Sequence, residues 1–213
     1  ALVREADGSF TFAPFSWAPR RVGSEDTNPP PTFVGRSIRG AMFFQNRLGF
    51  LSDENVIFSE VGNFGNFWRL TVVDFLDSAV IDHATSEQSV NKLEHAITMS
   101  TGAVLFSDQT QFLLSHGQEG LTPTSLSIKP VTRFETNNRV SPVATGSTIF
   151  FPAERSKFTS IQEYFFEDEV INTEAVDITA HVDTFIPRGV RSIASNSRNN
   201  ALFVVSEETP RSV

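Results

Sequence analysis

The chain has 213 residues, 17 Lys and Arg against 25 Asp and Glu, four His and no Cys, for a formal net charge of −8 at pH 7. That length can bury a substantial core in one or two domains. The missing cysteines exclude disulfides, thiolate metal sites and Cys nucleophiles, and the acidic balance argues against a phosphate-gripping surface, which needs clustered Lys and Arg. Twenty-one Phe stand against one Tyr and two Trp. This favours buried sheet faces over a Tyr-rich binding surface and predicts Phe in the core. No run of 18 apolar residues occurs, and the start ALVREADG lacks the basic and apolar regions of a signal peptide, so a soluble chain that is not conventionally exported is expected.

In chain order, LVREADGSFTFAPFSWAPRRVG reads as two extended segments with turns at Asp7-Gly8 and around Pro19, followed by the polar linker SEDTNPPP. Asn28-Pro29-Pro30-Pro31 must leave the helical region, because each proline fixes its own φ and pushes the preceding residue toward extended conformations. Between Met42 and Ser59 two apolar runs, MFFQNRLGFLS and VIFS, flank Asp53-Glu54-Asn55 and read as a hairpin reversed at those three residues. Four similar strands then align: RLGFLS at 47–52, AVLFSD at 103–108, TIFFPA at 148–153 and ALFVVS at 201–206. Their starts lie about 45 to 55 residues apart, near the spacing of propeller blades. Each has an apolar strand upstream, and the first three have one downstream. The echoing segments 79–84 and 175–181 read as crossovers between such units. No long stretch carries a capped 3.6-residue period, although a short helical turn is expected within Ser86 to His95. The prediction is a mainly β chain: an extended ribbon and linker over 1–27, then a propeller-like repeat of four-stranded antiparallel blades over 28–213. It comprises about four units, the last incomplete. With its last strand lacking a following partner, the chain reads as a piece of a longer polypeptide.

No catalytic, cofactor or metal site is assigned. His83, His95, His116 and His181 are too dispersed for a local metal motif. His83 beside Asp82 and His181 near Asp177 would make an acid/base pair if the fold joined them, but satisfying turn amides is the simpler role. Glu163, Glu167, Asp168, Glu169 and Glu174 offer the paired carboxylates of a glycosidase and read more simply as a solvated strand end. Ser107 to Phe112 is a turn with a faint Asp-box likeness. Asp74, Asp77 and Asp82 are too loosely spaced for a calcium loop, and Ser115-His116-Gly117 reads as a hairpin end. Arg36, Arg39 and Arg47, interleaved with Phe43 and Phe44, suggest a nucleic-acid surface. Strand alternation would put Arg39 and Arg47 on one side, so a polar face toward solvent or a subunit interface is the simpler account. In Gly62-Asn63-Phe64-Gly65-Asn66-Phe67-Trp68 the aromatics read as anchors of a turn against a core or a neighbour. Arg36, Arg39, Arg47, Phe64, Phe67 and Trp68 form the candidate interface set.

Several phrases occur in a telling order: LVREADG, DTNPPPTFVGR, FQNRLGFLSDENVIFSE, LFSDQTQFLL and DITAHV. On these the chain resembles the tail tubular protein B, or nozzle, family of short-tailed bacteriophages. The resemblance implies a virion protein several-fold longer than this chain, with a propeller-like β domain, assembled as a homo-hexameric ring at the distal end of the tail. It implies contacts with a dodecameric tail adaptor (tail tubular protein A) and with tail fibres, a channel through which phage DNA passes, a gate that opens on host contact, and no enzymatic activity. The acidic charge suits ordinary solubility first, and also a conduit along which DNA slides without sticking. Two other classes stand beside this reading. A phage-tail β-propeller glycan hydrolase requires two convergent carboxylates in a cleft. A cellular propeller scaffold requires a peptide partner, and the WD dipeptides of one common type are absent.

Overall fold

The computed structural model describes residues 2–86, 91–100, 102–167, 170–171 and 175–207, with 166, 167, 170 and 171 as backbone. Strands β1 (Leu2–Arg4) and β2 (Phe10–Phe12) pair antiparallel. They reverse at Asp7-Gly8, where the Asp7 carboxylate accepts from the amide and hydroxyl of Ser9 and Gly8 takes a φ of +87° that a side chain would resist. The first larger sheet runs β3 (Gly40–Phe44), β4 (Arg47–Ser52), β5 (Asn55–Phe58), β6 (Ile81–Ala84). The second runs β7 (His95–Thr98), β8 (Gly102–Phe106), β9 (Gln111–Ser115), β10 (Ser127–Thr132). The third joins β11 (Val143–Thr145), β12 (Thr148–Arg155) and β13 (Phe158–Glu167), with β14 (Val170–Ile171) and β15 (Val176–Asp177) both paired to β13. After a short 3₁₀ turn at Ala180–Val182, β16 (Val190–Asn196) and β17 (Ala201–Ser206) form a hairpin. Every pairing is antiparallel.

The four strands aligned in the sequence are β4, β8, β12 and β17, and each is the second strand, in chain order, of its own sheet. Three expectations are corrected. The run MFFQNRLGFLS is two strands rather than one: Gln45 and Asn46 take φ of 45° and 57°, the two-residue turn whose backbone twist matches the strands it joins, and the Asp53-Glu54 reversal follows it. Segments 79–84 and 175–181 do not cross between sheets. Their strands β6 and β15 pair back onto β5 and β13 and close the sheets that precede them. The turn expected within Ser86 to His95 falls partly on 87–90, outside the described residues, while the described flank 91–94 is irregular and His95 opens a strand.

The sheets pack in chain order. Met42, Phe44, Leu51, Val56 and Phe58 from the first share one apolar cluster with Ala103, Leu105, Phe112 and Leu114 from the second. Val104 and Phe106, on the other face of the second sheet, pack with Ile149, Phe151 and Tyr164 of the third. Val140, Val143, Val190, Ile193 and Val204 then join the third sheet to the last hairpin. All of β8 is buried because successive side chains point to opposite faces and both faces are covered. Its run Gly-Ala-Val-Leu-Phe accordingly lacks polar alternation. Phenylalanine is less uniformly internal than expected. Phe44, Phe58, Phe67, Phe106, Phe112 and Phe151 are buried, but Phe10, Phe12, Phe43, Phe75, Phe185 and others are exposed. Among the described residues no helix is long and apolar enough to cross a membrane.

A Cβ added at Gly102 would lie 2.5 Å from the Leu114 carbonyl oxygen, a backbone atom that cannot swing away. Gly102→Ala is therefore expected to cost about 1–3 kcal/mol, read as a lower urea midpoint at unchanged m-value.

Candidate functional site

The candidate residues cluster around the first sheet, and Arg47 shows how the sequence builds them. It opens β4 just after the Gln45-Asn46 turn, and its side chain is fully buried. The guanidinium donates to five backbone carbonyls: Ser59 (2.8 Å), Ala79 (2.6 Å) and Ser78 (3.4 Å) through Nη1, and Asp77 (2.6 Å) and Leu121 (3.2 Å) through Nη2. Leu121 lies in the segment between β9 and β10, so one cation ties the loops of the first sheet to the second. Burial pulls its pKa down and the nearby Glu60 carboxylate opposes this; a guanidinium nonetheless keeps its charge in proteins. Its placement corrects the expected one, since a side chain buried within one copy presents nothing to solvent or to a neighbouring subunit.

Glu60 organises the glycine- and asparagine-rich loop that follows β5. Its Oε2 accepts from Asn63 Nδ2 (3.0 Å) and Asn66 Nδ2 (2.9 Å), and Asn66 brackets Trp68 by accepting from its amide and donating to its carbonyl. The loop drops Phe67 into an aromatic cluster with Phe33, Phe50 and Trp17, at ring separations of 5.2, 5.3 and 5.9 Å. Phe67 is buried there, so it anchors the turn against this chain's own packing. Phe64 faces outward against the exposed Phe43 at 5.4 Å, and Trp68 is half-buried beneath the Arg20 guanidinium. Arg36 pairs with Asp53 (3.3 Å) and Arg39 with Glu94 (3.7 Å), both at the surface. Of the six candidates, Arg47 and Phe67 are thus internal, while Arg36, Arg39, Phe64 and Trp68 reach the surface in part or in full.

The other groups stay apart. Asp82 accepts from the backbone amide and hydroxyl of Thr32 and from Asn55 Nδ2, fastening the Pro-rich lead-in to the edge of the first sheet. Asp177 takes the amide and hydroxyl of Thr179 and pairs with Arg155 at 3.0 Å. Both carboxylates satisfy local donors in different sheets. Ser107 to Thr110 is a turn closed by its own serine. Of the acidic run, Asp168, Glu169 and Glu174 lie outside the described residues. Among the described residues no three His, Cys, Asp or Glu come together as a metal site. A cleft of about 900 Å³ between the third sheet and the last hairpin does hold carboxylates. Glu154 there is paired with Arg188 (2.8 Å) and Glu207 with Arg191 (3.1 Å), which makes it a salt-bridged seam. Two linking residues were missed from sequence. Asn28 bonds the Val22 and Arg69 carbonyls and the Arg69 amide, and Gln45 accepts from the Leu121 amide across the sheet boundary. For Gln45 the signal was present, as a polar pair interrupting an apolar run.

Among the described residues this arrangement joins structural loops, leaves aromatics exposed and brings together no reaction centre. The model of the bacteriophage nozzle protein family matches residues 1–213. The chain belongs to that family. The tail tubular protein gp12 of Escherichia phage T7 is 39% identical over 214 residues, covering 100% of this chain and 27% of that protein. The nozzle chain thus spans about a quarter of the length of the curated relative it matches. Membership makes it a structural protein of a phage tail rather than an enzyme, and the glycan hydrolase reading is not favoured.

Removing the Arg47 side chain would take a donor from the buried carbonyls of Ser59, Ala79 and Leu121, so Arg47→Ala is expected to cost about 3–5 kcal/mol by chemical denaturation. Phe67→Ala should cost a similar amount, about 3–5 kcal/mol. Phe64→Ala, which loses a partly exposed ring and its edge-to-face pair with Phe43, should cost less, about 0.5–1.5 kcal/mol, so a loss as large as that at Phe67 would refute its outward placement.

Proposed function

We propose that this chain forms part of the wall of a phage tail conduit, as a propeller-like succession of antiparallel sheets in a nozzle that assembles as a homo-hexameric ring. The observation that carries the reading is the second sheet, buried on one face by the first and on the other by the third. Radial repetition of small sheets uses that packing, and it shelters strand edges while leaving a central channel. Family membership supports a virion tail as the setting; in this reading the tail adaptor and tail fibres are the partners and phage DNA passes through. The mechanism is mechanical. A stack of sheets whose mutual contacts are buried transmits load without rearranging, and an acidic surface gives passing DNA no counter-charge to release.

A ring of identical subunits needs two different patches that meet and close by rotation. The exposed members of the candidate set, Arg36, Arg39, Phe64 and Trp68, are assigned to one of them. Phe64 with Phe43 gives it an apolar centre, and the arginines give it a polar rim, the usual anatomy of such contacts.

Electron microscopy of the full-length polypeptide is expected to show a six-fold ring around an axial channel. Isolated monomers with a carboxylate-lined cleft would overturn the proposal in favour of a hydrolase. Phe64→Asp should shift the full-length protein from ring to monomer in size-exclusion chromatography with light scattering while the monomer stays folded, losing about 0.5–1.5 kcal/mol of unfolding free energy.

A further inference from the structure

Gln45 occupies a left-handed backbone position, φ 45°, that a residue with a long side chain adopts at a cost. Its side chain reaches across to the second sheet, where Oε1 accepts from the Leu121 amide at 2.8 Å. That bond fixes which end of the carboxamide is which: Nε2, a donor alone, is the atom that faces His116 Nε2. The imidazole must therefore accept at Nε2, and its other nitrogen, Nδ1, lies 2.8 Å from the Gly117 carbonyl, to which it donates. Both hydrogen bonds are satisfied by one form of the ring, the neutral tautomer protonated at Nδ1. A proton added at Nε2 would set two donors against each other. Rotating the Gln45 amide would not help, since it would turn an N–H toward the Leu121 N–H.

We propose that Gln45 and His116 form a pH-sensitive latch between the first and second sheets, closed while the imidazole is neutral and released when it is protonated. The charged groups on the packed elements are Arg47 after the Gln45-Asn46 turn, Glu60, Arg69, Asp74 and Asp77 on the loop after β5, Glu119 on the histidine's own loop and Lys129 on β10. Arg47 is spent on carbonyls and Glu60 on two asparagines. None of the ion pairs among the described residues includes His116. His95 serves as an internal contrast. Its ring nitrogens face the Asn138 carbonyl and the Ser141 hydroxyl, both of which accept from an imidazolium, so protonation breaks nothing there. The latch stands independently of the ring reading above.

The test is hydrogen exchange by mass spectrometry on the full-length protein, corrected for intrinsic exchange, following peptides that span 42–48 and 114–122 between pH 7.5 and 5.5. Protection in both is expected to fall roughly two- to tenfold on acidification, the worth of one hydrogen bond. It should stay flat in His116→Gln, which keeps an acceptor but does not titrate, and should be low at both pH values in His116→Phe. An acid response of equal size in His116→Gln, or no response in the parent, would overturn the proposal.

Discussion

Small antiparallel sheets are costly to use singly, because a short strand has two faces and burying one leaves the other to water. The second sheet meets this constraint by having neighbours on both sides. Ala103 and Leu105 point into the first sheet and Val104 and Phe106 into the third, so every side chain of β8 after Gly102 contributes to a core. At about 25 cal/mol per Å² of apolar surface removed from water, a strand buried on both faces gains nearly twice what a half-exposed one does. The close fits at Gly102, and at Gly49, where a Cβ would meet the Phe58 ring at 2.6 Å, are made within each sheet against the paired strand.

Packing alone would allow the sheets to slide over one another, and the polar links between their loops oppose that. Arg47 sits where strand, loop and neighbouring sheet converge. Desolvating a guanidinium is expensive, and the chain offsets this with backbone carbonyls that sheet pairing leaves over, at Ser59, Asp77, Ala79 and Leu121. Because those acceptors belong to three separate segments, the bonds form together only in one arrangement of the loops. Gln111 does the same between β9 and the segment after β10: it is buried, donates to the Phe134 carbonyl, and accepts from the Phe134 amide and the Thr132 hydroxyl. Tyr164, whose buried phenol is pushed well above its ordinary pKa by desolvation, meets that Thr132 hydroxyl from the third sheet.

The strand rhythm was legible because period-2 patterning and turn residues are local signals. The four aligned runs are strands at equivalent places in four sheets, and Asp7-Gly8 and Asp53-Glu54 reverse the chain as their chemistry suggests. What escaped was set by tertiary partners. Gln45-Asn46 lacks the glycine that usually marks a two-residue turn, and the cross-sheet bond from the Leu121 amide to the Gln45 side chain offsets its backbone cost. Arg47 looked like a surface cation because charge is a solvent signal unless enough acceptors surround it, and those acceptors are backbone atoms, invisible in a string of side chains. Segments 79–84 and 175–181 looked like connectors because they echo one another and each precedes the next unit. Only the pairing shows that they are the outer strands of the units before them.

The exposed aromatics carry the last step. The β1–β2 ribbon places Leu2 opposite Phe12 and Arg4 opposite Phe10, so Leu2, Phe10 and Phe12 share one face, and all three are exposed. An isolated two-stranded hairpin is marginal in water, and a face of two phenylalanines and a leucine gains nothing while it stays wet. The same holds at Phe43 and Phe64, which lie on the side of the first sheet away from its shared core. These rings lie outside the closely packed interior sheets and are exposed in the single chain. Scattered surface phenylalanines would need no explanation; rings aligned on one ribbon face and paired on one sheet face are concentrated apolar surface of the kind that marks an interaction site.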